Sequence, residues 1–136
     1  MTHPARELLC VEDNLGDLRL LREALEILEL PHRLHHAADG EQALAYLRRA
    51  QLGEEPWPDA VLLDLNLPRK SGVEVLVELG ADPRLRALRV IVLTTAARER
   101  ETIKSGQTHP VHFMVKPIDF DDFIEVVETI DLLIGA

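Results

Sequence analysis

The sequence predicts an α/β domain in which helices cover both faces of a doubly wound, parallel five-stranded sheet. Two observations support this fold class. Short apolar runs alternate with segments of helical periodicity along the chain, as in strands joined by right-handed helical crossovers. Residues 60–63 are apolar at every position, which is typical of a central strand that is covered on both faces.

The predicted strands are short, and polar residues follow each of the apolar runs. The strands cover residues 8–11, 33–38, 60–64, 90–93 and 111–115. The second strand has the weakest pattern, because arginine and histidine interrupt its apolar residues.

A predicted helix follows each predicted strand, and the fourth of these helices is short and polar. The first helix is indicated by Leu18, Leu21, Leu25 and Leu28 and closed by Pro31, and the others cover residues 40–49, 71–79, 97–105 and 120–134. Asp39 and Ser71 are the predicted N-caps of the second and third helices, because short polar side chains at that position accept amide hydrogen bonds.

Length and composition limit the possible functions. With 136 residues the chain can bury its own core, and we expect a single domain over residues 1–136 with no output domain. The formal net charge of -9 argues against nucleic-acid binding. The sequence contains neither a signal peptide nor an apolar run of about 18 residues, so we expect a cytoplasmic protein without membrane contact. The lone Cys10 excludes an internal disulfide, and its apolar neighbours predict a buried, inert thiol.

Polar residues gather where the predicted strands end. Glu12 and Asp13 follow the first strand, Asp64 ends the third, Thr94 follows the fourth and Lys116 follows the fifth. These positions share one edge of a parallel sheet, the edge at which open α/β sheets bind ligands. Three carboxylates packed together repel one another unless a cation is present, and Mg²⁺ suits such oxygen ligands. The alternative is a set of solvated loop acids beside a surface lysine.

The same residue types are those that phosphoryl transfer requires. Asp64 is the candidate nucleophile, and a metal together with the Lys116 ammonium would offset the charge of a phosphoryl group. Thr94 would supply a hydroxyl donor. The sequence has no Gly-x-x-x-x-Gly-Lys loop, no histidine beside a serine and no glycine-rich dinucleotide turn. These absences favour a phosphoryl group on another protein as the donor, rather than bound ATP.

In this order and at this spacing, the motifs resemble those of response-regulator receiver domains over about residues 6–134. The resemblance rests on Glu12–Asp13, the block 64–68 with Gly72 after it, Thr94, and Lys116–Pro117. It implies a flavodoxin-like fold with strand order 2-1-3-4-5 and five helices. It also implies that a partner histidine kinase phosphorylates Asp64, and that the protein is a phosphoacceptor switch rather than an enzyme.

The resemblance also implies how the site residues act. The side chains of Glu12, Asp13 and Asp64 and the carbonyl of Asn66 would hold Mg²⁺. Lys116 would pair with the phosphoryl group and act with Asp64 in the transfer.

A second group of residues would carry the switch. Thr94 would move toward the phosphoryl oxygens, and the aromatic ring of Phe113 would change rotamer. Pro117 belongs to the same group, and the Lys116–Pro117 bond is expected to be cis. The sequence departs from the common receiver pattern at Thr95, where alanine is frequent, and at Phe113, where tyrosine is frequent. Both departures leave the coupling between site and surface open.

A finer resemblance connects the chain to the single-domain regulators of phytochrome-type histidine kinases. It rests on Val-Glu-Asp-Asn, on Leu-Asn-Leu-Pro, on the long loop 51–59 and on Val-Leu-Thr-Thr. Two rival functions stay open. A phosphohydrolase would also use Asp64 as nucleophile, although Asn66 replaces the second acid of such enzymes. A receiver-like scaffold would not be phosphorylated at all.

Two further expectations concern surfaces. His35 and His36 are adjacent in a strand and face opposite sides, so we do not expect them to form a metal-binding pair. The last helix has more apolar residues than one face needs, namely Ile118, Phe120, Ile124, Leu132, Leu133 and Ile134. We therefore expect a homodimer or partner surface on the last helix and the fifth strand.

Overall fold

The computed structural model describes residues 5–67, 69–94 and 111–134. Its strands are β1 (Arg6–Val11), β2 (His32–Ala37), β3 (Ala60–Asp64), β4 (Val90–Thr94) and β5 (Val111–Val115). They form one sheet in the order β2-β1-β3-β4-β5, and every neighbouring pair is parallel. The predicted fold class and strand order are confirmed.

Four α-helices lie in the described part of the chain. They are α1 (Leu15–Ile27), α2 (Gly40–Gln51), α3 (Gly72–Ala81) and α4 (Phe120–Ile134), and a short 3-10 helix covers Leu85–Ala87. The helix predicted at 97–105 lies outside the described residues, so the expected fifth helix is not tested. None of the described helices is both long and apolar enough to cross a membrane.

Side-chain caps explain where the helices begin. The side chains of Asp39 and Ser71 accept hydrogen bonds from backbone amides in the first turns of α2 and α3, as predicted. Asn14 caps α1 in the same way by accepting from the amide of Asp17. The cap at Asn14 begins a helix immediately after the acidic loop, and it therefore fixes the direction in which α1 leaves the sheet edge.

The core consists of two apolar layers, one on each face of the sheet. Strand alternation directs Leu9, Val61 and Leu63 toward α2 and α3, whereas Leu8 and Leu62 face α1 and α4. All five residues of β3 and all five of β4 are buried. This double coverage accounts for their continuous apolar runs, whereas β2, an outer strand of the sheet, has a mixed pattern.

Cys10 has the surroundings that the sequence predicts, and Trp57 lies beside the core. The Cys10 thiol is buried, and burial raises its pKa above the ordinary value, which keeps it protonated and unreactive. Trp57 is partly buried against the core, and the guanidinium carbon of Arg84 lies 5.3 Å from the centre of its ring. Trp57 therefore covers the core at the end of the loop 51–59.

At two glycines, neighbouring backbone atoms of the chain around the loop between β3 and α3 leave no room for a side chain. A Cβ atom at Gly72 would lie 2.6 Å from the Cα of Leu65 and 2.7 Å from the carbonyl oxygen of Asp64. A Cβ atom at Gly40 would collide with the carbonyl oxygen of Lys70. Since the neighbours are backbone atoms, they cannot rotate away as side chains do. Glycine at these positions lets the loop close over the end of β3.

We predict that Gly72→Ala lowers the free energy of unfolding by about 1–3 kcal/mol, the usual cost of forcing extra atoms into a packed site. Gly16→Ala is the matched control in the first turn of α1. Its Cβ would meet the side-chain oxygen of Asn14 at 3.1 Å, and this contact can relax more easily. Urea unfolding of both variants measures the difference. Equal stabilities would show that the loop does not depend on the close approach at Gly72.

Candidate functional site

The sheet topology brings the predicted site residues to one edge. Asp64 is the last residue of β3 and Thr94 the last residue of β4. Glu12 directly follows β1, and Lys116 directly follows β5. Because all these strands are parallel, their carboxyl ends meet at the same edge of the sheet. The predicted convergence of Glu12, Asp64, Thr94 and Lys116 at one edge is therefore found.

Three acids form a cluster that could hold a metal ion. One carboxylate oxygen from each of Glu12, Asp13 and Asp64 lies within 4.8 Å of the other two. Glu12 and Asp64 are buried, whereas Asp13 is exposed and leaves one side of the cluster open to solvent. Hard oxygen donors around an open side suit a divalent cation such as Mg²⁺, which keeps several waters. The donor set thus fits the ion that the resemblance implies.

Asn66 lies two residues beyond Asp64, at the start of the loop to α3. Its backbone amide donates a 2.9 Å hydrogen bond to Oδ1 of Asp64. This bond fixes the orientation of the carboxylate and turns the chain away from the strand. The proposed metal contact of the Asn66 carbonyl stays a prediction.

Lys116 is the cation that balances the buried acids. Its Nζ lies 2.6 Å from Oδ2 of Asp64, 3.8 Å from Oε1 of Glu12 and 3.9 Å from Oδ2 of Asp17. Its backbone amide donates to the carbonyl oxygen of Thr94 at 3.1 Å, which holds the residue beside the end of β4. Burial alone would lower the pKa of Lys116, but the hydrogen bond to Asp64 and the three nearby carboxylates outweigh it. The pKa of Lys116 is therefore raised, and the ammonium is retained.

Glu12 is the acid that responds most to its surroundings. Burial raises the pKa of Glu12 to about 8, and the charge of Asp64 and a hydrogen bond to its side chain act in the same direction. The backbone amide of Asn14, which donates to Oε2 at 3.1 Å, and the charge of Lys116 oppose this rise. In the metal-free cluster Glu12 thus retains a proton over much of the neutral pH range. A divalent cation would have to displace it.

Asp17 contributes to the site, a role that the sequence pattern did not indicate. It lies in the first turn of α1, which the Asn14 cap directs back over the sheet edge. Its side chain is mostly buried, and its carboxylate is 3.9 Å from the ammonium of Lys116. A signal was available in the sequence, because only three residues separate Asp17 from the acid pair Glu12–Asp13.

The predicted switch residues occupy the fourth and fifth strands and the turn that follows. Thr94 and Phe113 are buried, and Phe113 pairs with Val92 in the register of β4 and β5. Pro117 is also buried. The expectation of a cis bond at Lys116–Pro117 is wrong, since no cis peptide bond occurs within residues 5–67, 69–94 and 111–134. The trans form is the one that an ordinary X-Pro bond favours, by about 0.5–1 kcal/mol.

The two adjacent histidines do not form a pair, as expected. His35 lies on the α2 face of β2, where its Nε2 is 2.8 Å from Oε1 of Glu7. Its ring centre is 5.2 Å from that of Tyr46 on α2. His36 points the other way, and its Nε2 is 2.7 Å from the carbonyl oxygen of Glu12. His36 therefore contacts the acidic loop, which the sequence pattern did not reveal.

Comparison with known families assigns the fold to a family. The profile of the response regulator receiver domain matches residues 8–128. The chain belongs to the response regulator receiver family. Residues 8–128 contain all the predicted site residues, from the acid pair after β1 to the lysine and proline after β5.

Its relatives include regulators of phytochrome systems. Response regulator Rcp1 from Synechocystis sp. is 36% identical over 131 residues, which are 96% of this chain and 89% of Rcp1. The structure of the phosphorylated cyanobacterial phytochrome response regulator RcpA superposes with a TM-score of 0.82 at 35% identity, covering 97% of this chain and 95% of RcpA. The Mn²⁺-bound form of Rcp1 superposes with a TM-score of 0.77 at 36% identity, covering 93% and 91% of the two chains. This receiver is thus related to phytochrome response regulators.

We predict that the metal-free protein becomes less stable as the pH rises from 4.5 to about 8, because of Glu12. Over this range the folded state retains a proton on Glu12 that the unfolded chain has lost, so unfolding releases a proton and is favoured by rising pH. Glu12→Gln stays neutral and should flatten this part of the pH profile. Urea unfolding in the presence of EDTA measures the slope.

Glu54→Gln is the control for this experiment, since it removes one carboxylate from an exposed loop far from the cluster. It should leave the slope of the wild-type profile unchanged. A Glu12→Gln profile as steep as that of the wild type would contradict the assignment of the proton to Glu12.

Proposed function

We propose that this receiver is a cytoplasmic phosphoacceptor switch in which a partner histidine kinase transfers a phosphoryl group to Asp64. The observation that carries the proposal is the environment of the Asp64 carboxylate. It is 1% exposed, it contacts Lys116 at 2.6 Å, and it lies beside two further acids at an open edge of the sheet. The burial of such a carboxylate requires compensating positive charge. Phosphoryl transfer uses both kinds of charge that this site could offer, namely a cationic side chain and a metal ion.

The transfer would exchange one bond to phosphorus for another. A carboxylate oxygen of Asp64 attacks the phosphorus of a phosphohistidine, so that an O–P bond forms as the P–N bond breaks. The imidazole leaves with the electron pair of the broken bond and takes up a proton from solvent. When bound to Glu12, Asp13 and Asp64, Mg²⁺ would offset charge on the phosphoryl oxygens. Lys116 would then pair with a phosphoryl oxygen, where the negative charge of the adduct resides.

The switch would follow from this movement of charge. Lys116 is joined through its backbone amide to the carbonyl oxygen of Thr94, so the ends of β4 and β5 are already connected in the unmodified protein. The Thr94 hydroxyl would turn toward the phosphoryl group, and Phe113 would repack on β5. The phosphoryl group would thereby shift an equilibrium between two arrangements of this side of the domain.

The partner kinase would be of the phytochrome type. This part of the proposal is supported by the similarity to RcpA, which is described as a phytochrome response regulator. The sequence blocks around the acid pair and around Asp64 led to the same expectation. Phosphorylation of Asp64 can be tested with a small phosphodonor, and that test does not depend on the type of kinase.

We further propose that the protein self-associates through β5 and α4. Three large apolar side chains are mostly exposed on this side, with exposed fractions of 75% for Val115, 86% for Ile118 and 84% for Leu132. Ile134, one of the apolar residues of the last helix that the sequence predicted for this surface, is buried in the core instead. β5 is the outer strand on this side of the sheet, so the surface is not covered by another described strand.

We predict that incubation with acetyl phosphate and Mg²⁺ adds the mass of one phosphoryl group to the wild-type protein. The adduct should be labile to base, as expected of an acyl phosphate, and absent from Asp64→Asn. Intact-mass spectrometry with peptide mapping measures both. Asp121→Asn, an exposed acid in the first turn of α4, is the control and should be modified like the wild type.

Other outcomes would exclude the proposal. An equal adduct on Asp64→Asn would place the phosphoryl group elsewhere. No adduct on the wild type would favour a scaffold, and release of phosphate over many rapid turnovers would favour a hydrolase that uses the same nucleophile.

We predict that Leu132→Glu shifts the protein toward the monomer, because it replaces an exposed apolar side chain of the proposed interface by a charged one. Leu52→Glu is the matched control, since Leu52 is 75% exposed at the end of α2, away from β5 and α4. Size-exclusion chromatography with light scattering measures the oligomeric state. A wild-type monomer at high concentration would contradict the proposed dimer without affecting phosphorylation at Asp64.

A further inference from the structure

Both backbone polar groups of Glu12 are bound by β2. The amide of Glu12 donates to the carbonyl oxygen of Ala37 at 3.0 Å. The carbonyl oxygen of Glu12 lies 2.7 Å from Nε2 of His36. The first bond extends the pairing of β1 with β2 by one residue, whereas the second uses a side chain. Glu12 is therefore held in place after the end of its own strand.

The chemistry of the contact determines which nitrogen of the His36 ring carries a hydrogen. A carbonyl oxygen can only accept a hydrogen bond, so the Nε2 atom of His36 must carry a hydrogen. His36 pairs with Cys10 in the sheet register, which places its ring on the same face and two residues before Glu12. The ring can thus reach along β1 to the acidic loop without a change in the backbone.

The Glu12 carbonyl is part of the peptide that joins two of the three clustered acids. A peptide unit is planar, so fixing the C=O of Glu12 also fixes the direction of the N–Cα bond of Asp13. Once Glu12 loses its proton, as metal binding requires, its carboxylate and that of Asp13 repel each other, and a loop free to rotate about this peptide would separate them. The side chain of Glu12 is held as well, because its Oε2 accepts from the amide of Asn14.

We propose that His36 is a positioning residue for the divalent metal site. It does not contact the ion, but it orients the Glu12–Asp13 peptide so that both carboxylates face the same point as that of Asp64. The inference rests on the proposed metal-dependent function of this cluster. It assigns a role to an exposed histidine on the outer strand of the sheet, outside the strand ends that supply the ligands.

The test measures Mg²⁺ affinity by isothermal titration calorimetry, together with the Mg²⁺-dependent rise in melting temperature. His36→Leu removes the donor and should weaken Mg²⁺ binding about 10-fold, the lower end of the range for lost supporting hydrogen bonds at metal sites. His36→Gln can donate from its side-chain amide and should restore most of the affinity. Because His36 is exposed and lies on an outer strand of the sheet, the leucine variant should fold.

His35→Leu is the matched control on the neighbouring position. His35 contacts Glu7 and Tyr46 on the opposite face, so its loss should reduce stability while leaving Mg²⁺ affinity unchanged. Wild-type affinity in His36→Leu would overturn the inference, as would equal weakening in His36→Gln or in His35→Leu. Absence of Mg²⁺ binding by the wild type would instead refute the proposed metal site itself, and with it any positioning role.

A second measurement does not depend on any variant. Long-range ¹⁵N–¹H correlation spectra of the histidine rings in the wild-type protein report which ring nitrogen carries hydrogen. We expect hydrogen on Nε2 of His36. A neutral ring with hydrogen on Nδ1 alone could not donate to Glu12 and would overturn the inference.

Discussion

The contact between Asp64 and Lys116 is the interaction on which the site depends. The carboxylate is almost fully buried, and the 2.6 Å contact with the ammonium makes that burial tolerable. The two residues are 52 positions apart in the chain; Asp64 ends β3 and Lys116 follows β5, and β4 lies between these strands. The sheet must therefore assemble before the charge of Asp64 is compensated. The fold thus brings the two charges together, and their contact offsets the cost of burying Asp64.

One lysine does not neutralise the acids around it. Glu12, Asp13 and Asp17 remain near Asp64 and Lys116, and the protein lowers the repulsion by retaining a proton on Glu12. A divalent cation would do the same and would leave the carboxylates charged. A proton, a metal ion or a phosphoryl group would each change the charge balance of this cluster. The proposed phosphoacceptor switch depends on such changes, because each of them would alter the charge around Lys116.

Particular residues show how much of the site could be predicted from the sequence pattern. Asp64 could be predicted because a carboxylate at the end of a wholly apolar run is costly to bury unless a cation or hydrogen-bond donors meet it. Glu12 and Thr94 could be predicted from their positions directly after two other apolar runs. Asp17 and His36 were not found, since one resembled an ordinary solvated helix residue and the other a residue of a weak strand. Their contribution depends on the direction in which α1 leaves its cap and on the pairing of β2 with β1.

The sequence by itself determined the strands, the helices within the described residues and the polar groups at the strand ends. These features follow from local periodicity, from caps and from the cost of burying charge, all of which can be recognised over a few residues. The tertiary structure decided which atoms meet: Lys116 with Asp17, His36 with the Glu12 carbonyl, and Ile134 with the core. Contacts of this kind depend on strand register and helix direction, and these are set by the packing of segments that are distant in the chain.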